Sequence, residues 1–308
     1  MRRALLARED RVAVVATGFA ARPEAIDAGL SWLSRRGMIP VPGRHLRSVD
    51  GYLAGSDADR AGDLDAAVRD PSIAAVWFAR GGYGTARILD RFDLERLVRR
   101  PKLLVGYSDL TALFSALLAR ASTVCLHAPG VAELGDRRAF HGPSLLAMLA
   151  GQSTRRRIVS RDVLRAGRAR GRLIGGNLTV LCHLLGTRHM PDLKGAVLFL
   201  EEIGEEAYRI DRLFQHLKMS GVLAGVSAVI LGNFHVPKTT RVFPGDRDVG
   251  AVLRDHLLPL RVPVVSGMPS GHGPGKWSLP LGGLASVDTK AGLMTFDPRP
   301  APLRSRRV

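Results

Sequence analysis

The chain has 308 residues and is short of cysteine, aromatic and acidic residues. Each shortage narrows what it can be. Only Cys125 and Cys182 are present, both inside apolar runs, which points to buried thiols. A disulfide framework or a cysteine zinc site is thereby excluded. Aromatic residues make up 6% and are missing from the most basic stretches, so the stacking platforms that hold single-stranded nucleic acid are absent there. No apolar run approaches the roughly 20 residues that span a bilayer. Arg8, Glu9, Asp10 and Arg11 interrupt the N-terminus before any long apolar segment, so a cytoplasmic location is expected and a secretory leader or membrane association is not.

The acidic shortage needs closer reading. Lysine plus arginine number 45 against 28 aspartate plus glutamate, giving a formal charge of +17. Such a surplus raises nucleic acid or another anionic surface as a partner. Its placement argues otherwise. The stretch from Arg155 to Arg172 adds Arg156, Arg157, Arg161, Arg165, Arg168 and Arg170 against the single Asp162, and Arg299, Arg304, Arg306 and Arg307 form a second cluster. Neither resembles a zinc finger or an RNA-recognition motif. The expectation is a solvated basic linker and tail, with any nucleic-acid binding non-specific, weak and steeply dependent on salt.

What is present is a chain of about two domains' length, 46% hydrophobic and 24% charged. Short apolar runs at Arg11–Thr17, Ile73–Ala79, Lys102–Tyr107 and Val124–His127 alternate with helical segments. One of these helices is announced by the capping pattern Ser56-x-x-Asp59. Apolar strands separated by helices mean a parallel sheet covered on both faces, with its ligand crevice at the carboxyl ends of the strands. Arg80, Ser108 and His127 all fall at such ends. The division expected is residues 1–150 as an N-terminal domain, 151–172 as the arginine-rich linker and 173–308 as a smaller mixed α/β domain.

Within this frame, Gly106-Tyr107-Ser108-Asp109 places a serine between a buried strand and a helix. Such a hydroxyl is pushed into the crevice with helix N–H groups beside it, which is the logic of a nucleophile elbow. Serine is also a preferred helix cap, and local pattern alone leaves both roles open. Arg80-Gly81-Gly82-Tyr83-Gly84 is a glycine turn that allows close backbone approach to a ligand, but its spacing fits neither a dinucleotide fingerprint nor a phosphate loop. No cofactor is expected. Glu201 and Glu202 end a strand and must point to opposite faces. His272 lies in Ser270-Gly271-His272-Gly273-Pro274-Gly275. No histidine pair has a helical ligand spacing with a carboxylate, so no metal is expected either.

Taken together, these segments resemble the LD-carboxypeptidase family of serine peptidases. The likeness is carried by Arg80–Gly84, Gly106-Tyr107-Ser108-Asp109-Leu110-Thr111, His127-Ala128-Pro129, Gly175-Gly176-Asn177-Leu178 and Phe199-Leu200-Glu201-Glu202. Tyr208-Arg209-Ile210-Asp211-Arg212 and Gly271-His272 followed by Leu279-Pro280-Leu281-Gly282 complete it, in the family's order. The resemblance implies a Rossmann- or flavodoxin-like N-terminal domain, a smaller C-terminal α/β domain and a homodimer. It implies a Ser-Glu-His triad falling on Ser108, Glu201 and His272, with an oxyanion hole from the backbone N–H of Asp109 and the Gly81-Gly82 turn. Its implied substrate is a murein (peptidoglycan) tetrapeptide, cut before the terminal D-Ala during cell-wall recycling. The family also holds peptidases that inactivate microcin-type peptide–nucleotide antibiotics, and this is the alternative substrate. Arg80, with Gly81 and Tyr83, is the expected contact for the substrate's free carboxylate. The chain departs from the family in having Ala16-Thr17-Gly18 for Pro-Ser-Gly and Ala207 for a proline.

Overall fold

In the computed structural model, residues 4–236 and 247–303 are described. Arg304, Arg306 and Arg307 of the basic tail lie outside them. The first half supplies strands β1 (Arg11–Val15), β2 (Ile39–Pro42), β3 (Ile73–Phe78), β4 (Leu103–Gly106) and β5 (Cys125–His127). Helices α1 (Pro23–Arg35), α2 (Asp57–Arg69), α3 (Leu94–Arg99), α4 (Thr111–Leu118) and α5 (Gly142–Leu149) are interleaved with or follow them. The Ser56–Asp59 capping box opens α2 as its sequence pattern predicts.

These five strands pair in parallel in the order β2-β1-β3-β4-β5, the doubly wound order of flavodoxin-like folds. Their apolar continuity follows from burial on both faces: Val76, Trp77 and Phe78 of β3, and Leu104 and Val105 of β4, have no exposed surface. The order reverses between β1 and β3, the switch point where a doubly wound sheet offers a ligand site at the carboxyl ends of its strands.

The second half adds β6 (Thr154–Arg157), β7 (Val163–Arg165), β8 (Arg168–Asn177), β9 (Val197–Ile203), β10 (Ala228–His235) and β11 (Val264–Val265). Helices α6 (Leu178–Cys182), α7 (Ala207–Met219) and α8 (Val249–Leu257) run between these strands. The chain ends in β12 (Leu279–Leu281), β13 (Gly283–Asp288) and β14 (Leu293–Pro300). An eight-stranded sheet forms in the order β6-β14-β13-β8-β9-β10-β11-β7, parallel from β8 to β11 and antiparallel elsewhere. Strand β12 instead crosses back and pairs antiparallel with β5, so the two sheets share chain. The protein is thus mixed α/β with a parallel-rich sheet in each half.

The expectation of a linker over 151–172 is wrong. The segment contributes β6, β7 and the start of β8 to the second sheet. Antiparallel strands with one solvated face accept charge at alternate positions, and a run of arginines hides that period. Arg155, Arg157, Arg168 and Arg170 are exposed, while Arg172 turns inward and donates to the carbonyls of Leu118 and Ala121 at 2.9 Å each. Among the described residues no helix is long and apolar enough to cross a membrane.

Candidate active site

Strand β4 ends at Gly106, and the chain turns at Ser108 into a short 3-10 turn before α4. Ser108 takes a left-handed backbone with φ +65°, which a non-glycine residue adopts only when its surroundings force it. The glycine turn after β3 is packed directly on it: a Cβ on Gly81 would stand 2.6 Å from the Cβ of Ser108 and 2.9 Å from its Oγ. Only glycine fits there. The next residue along, Asp109, is buried, and its carboxylate accepts the Thr85 N–H at 2.8 Å. Burial pushes the Asp109 carboxyl up, against the pull of its Thr85 hydrogen bonds and Arg60. Arg60, fully buried on α2, donates to the carbonyls of Thr17 (2.5 Å) and Gly84 (2.9 Å) and so ties the β1 loop to the glycine turn.

On the other side of the crevice, β9 ends in Glu201 and Glu202, and the pleat sends them apart. Glu201 is completely buried and faces the loop that carries His272. Its Oε2 accepts from His272 Nδ1 at 2.8 Å and from the His272 backbone N–H at 3.1 Å. An ionised carboxylate can only accept, so Nδ1 carries the proton and Nε2 is left as a basic nitrogen. Gly271 precedes the histidine at φ +96°, with a Cβ position 2.5 Å from Glu201 Oε2. The loop therefore wraps the carboxylate only because that residue lacks a side chain. Asn233 at the end of β10 donates to the His272 carbonyl at 2.7 Å and fixes the loop from behind. Burial alone would raise the Glu201 carboxyl, but the hydrogen bonds from the His272 ring and backbone hold it below the usual carboxylate range.

Tyr107 links the two sides. Its ring lies 5.0 Å from that of His272 and 5.7 Å from that of His127, centroid to centroid, and Ser108 is the next residue. His127 ends β5, has Nδ1 3.4 Å from Ser270 Oγ, and is pushed down to about 4, mainly by burial. Arg80 is exposed and donates to the Ala20 carbonyl at 3.3 Å, with its guanidinium 5.8 Å from the Phe19 ring centroid. Tyr83 is 46% exposed and faces Tyr52 at 6.3 Å, which in turn meets Phe19 at 5.4 Å.

Two family profiles match the chain: the LD-carboxypeptidase N-terminal domain over residues 12–128 and the LD-carboxypeptidase C-terminal domain over residues 170–287. A Streptomyces coelicolor protein whose carboxypeptidase name is itself an inference is 42% identical, over 98% of this chain and 97% of its own length. The chain belongs to the LD-carboxypeptidase family. The crystal structure of muramoyltetrapeptide carboxypeptidase from Oxalobacter formigenes resembles this chain at a TM-score of 0.83 and 32% identity, covering 94% of this chain and all of that one (100%). An inactive apo mutant of the microcin C7 self-immunity protein also superposes at a TM-score of 0.83, with 25% identity and 98% and 99% coverage.

The fold sets Glu201 on His272 and Gly81 on Ser108, and brings Tyr107, the neighbour of that serine, against the His272 ring. Glu202 points away, as strand geometry requires. Sequence reading missed the side chains of Tyr107, Glu133 and Lys276, and the tie made by Arg60. Tyr107 stood beside the serine and Lys276 closed the glycine loop. Nothing in local spacing says that either one reaches across the crevice.

Proposed function

We propose that this family member is a serine LD-carboxypeptidase that hydrolyses the amide before the terminal D-Ala of a murein tetrapeptide. The observation that carries the reading is the left-handed Ser108 elbow joined to a buried Glu201–His272 pair through Tyr107, the residue before the serine, whose ring lies 5.0 Å from the imidazole. In this reading His272 Nε2 takes the Ser108 hydroxyl proton as Oγ attacks the scissile carbonyl. Glu201 holds the ring in the required tautomer and stabilises the imidazolium that forms. The tetrahedral oxyanion is met by the backbone N–H groups of Asp109 and Gly82. The imidazolium protonates the leaving D-Ala nitrogen, and water, deprotonated by the same imidazole, then releases the acyl group. Exposed Arg80 beside the turn supplies the cation for the substrate's carboxylate. A murein stem peptide is anionic, and the +17 chain would draw it in. The reading carries a homodimeric, cytoplasmic enzyme with it, which light scattering and cell fractionation would check.

One observation favours a second substrate. Phe19, Tyr52 and Tyr83 form an exposed aromatic cluster beside the glycine turn, a surface on which a nucleobase could stack. Under this reading the substrate is a peptidyl nucleotide like that implied by the self-immunity relative. Purified protein would be offered a murein tetrapeptide and a peptidyl-sulfamoyl adenosine in parallel, with products read by mass spectrometry. Release of D-Ala from the first at the faster rate supports the proposal. Cleavage of the second alone would replace it, and activity of Ser108→Ala at the wild-type rate would overturn the serine mechanism.

A further inference from the structure

Lys276 is only 1% exposed, although it carries an ammonium group. Taking such an ion out of water costs several kcal/mol, and a methionine would occupy similar space without that penalty. Its surroundings account for it. Nζ lies 2.5 Å from Glu133 Oε1 and 4.4 Å from the centroid of the Tyr107 ring. The same Glu133 Oε1 accepts the Tyr107 hydroxyl at 3.0 Å, while Oε2 accepts the Gly130 N–H at 2.9 Å. Tyr107 then presents its ring to His272. Around Lys276 the backbone is fastened as well: Gly275 N–H donates to Arg138 (2.7 Å), Lys276 N–H to Ala139 (3.3 Å), and the Lys276 carbonyl accepts from His141 (2.9 Å). Three residues separate His272 from Lys276 in one loop, and the far end of that loop is anchored on the half of the chain that carries the serine.

We propose that Lys276, paired with Glu133, is a positioning residue that clamps the His272 loop to Tyr107 and so sets the base against the Ser108 nucleophile. This rests on the triad reading above. Tyr107 is a good spacer for such a clamp because its phenol stays neutral: burial, and then the Glu133 charge, push its ionisation up. The ammonium also cancels the Glu133 carboxylate, which would otherwise add a second negative charge behind the imidazole. Glu201 on β9 bonds to His272 and Tyr107 lies against its ring, with Glu133 and Lys276 on the far side of that tyrosine. His127 on β5 feels the charge of both His272 and Lys276, Arg80 after β3 acts on Tyr107, and His235 on β10 lies beside the loop at Gly273. Removing one member of the Lys276–Glu133 pair therefore changes the local charge by one unit in a known direction.

The test is steady-state kinetics on a murein tetrapeptide across pH, with melting curves for each variant. Lys276→Met is expected to lower kcat on the order of 100-fold with little change in KM, the cost of a misplaced base. It should also move the acid limb of kcat/KM upward, because the uncompensated Glu133 carboxylate favours the imidazolium. Glu133→Gln keeps an acceptor for Tyr107 and leaves the lysine unbalanced, so its acid limb should move downward. The double variant Glu133→Gln/Lys276→Met should return the limb to the wild-type position while kcat stays low. A residue that only supported folding would not shift the limb in opposite directions. Should Lys276→Met fail to fold, the Glu133→Gln limb carries the test alone. Wild-type kcat and pH profile in both single variants, or limbs that move the same way, would overturn the clamp while Ser108→Ala remained dead. An active Ser108→Ala would remove the reading beneath it.

Discussion

Glu201 and Glu202 are neighbours in sequence, equally buried and chemically identical, yet their surroundings are opposite. Glu202 is saturated: Oε1 accepts from Asn177 Nδ2 (3.0 Å) and the Ile203 N–H (2.8 Å), Oε2 from the Thr179 N–H (2.8 Å) and hydroxyl (2.7 Å). Those bonds pin the start of α6 to the end of β9. Glu201 spends one oxygen on His272, and its Oε1 is buried with no partner among the described residues. A carboxylate bonded on every side is a structural rivet. One whose main partner is a titratable ring can trade charge with it as that ring gains and loses a proton. Under the proposed mechanism, the difference between the two faces of one strand divides chemistry from architecture.

The comparison can be broken most sharply by activity. Ser108→Ala and His272→Ala are expected to lower kcat by more than about 10⁴-fold, and Glu201→Ala by roughly 10⁴-fold. Combining the first two should cost little beyond either alone, because the three act as a unit. Glu202→Ala should leave kcat within a few-fold once corrected for folded protein. Equal losses at the two glutamates would mean that the acidic member is misassigned. Urea melts should reverse the ranking: Glu202→Ala leaves several buried donors unpaired and is expected to cost about 3 kcal/mol of stability. Glu201→Ala also loses a bonded partner but relieves a desolvated charge, and should cost less.

The Glu201 face has its own pH signature. His127, held near pKa 4 by burial, stays neutral in the folded protein while an unfolded histidine titrates near 6.5. Above about pH 6.5 it contributes nothing to pH dependence. As pH falls from there toward 4, the unfolded chain takes up a proton that the folded chain refuses, and stability drops by up to about 3 kcal/mol. His127→Gln should lack that component in urea melts run at pH 7 and pH 4.5; an unchanged pH slope would show that another group is responsible. The smallest effect tests the rivet itself. Thr179→Val removes one of its hydrogen bonds and keeps the backbone one, and is expected to cost about 1 kcal/mol with no change in kcat.

Much of this was legible in the chain. Apolar strand runs gave the parallel sheet, Ser56-x-x-Asp59 gave the start of α2, and the serine and the glycine turn fell at strand ends as a doubly wound sheet demands. These are local signals, carried by period and by neighbours within a few residues. Arginine repetition over 151–172 masked a strand period, because a solvated face tolerates the same charged residue at every exposed position. The β12 crossing into the first sheet had no local mark.

By itself, then, the sequence determined that Glu201 and Glu202 oppose each other, since the pleat has a period of two, and that Ser108 stands at an elbow. Family likeness pointed to Glu201 over Glu202, while only the tertiary structure decided that its carboxylate meets His272, that Tyr107 touches that ring, and that Lys276 is buried against Glu133. Those contacts join residues 71 and 143 positions apart in the chain. Their partners are set by how two sheets pack, and no spacing along a single strand or helix encodes that.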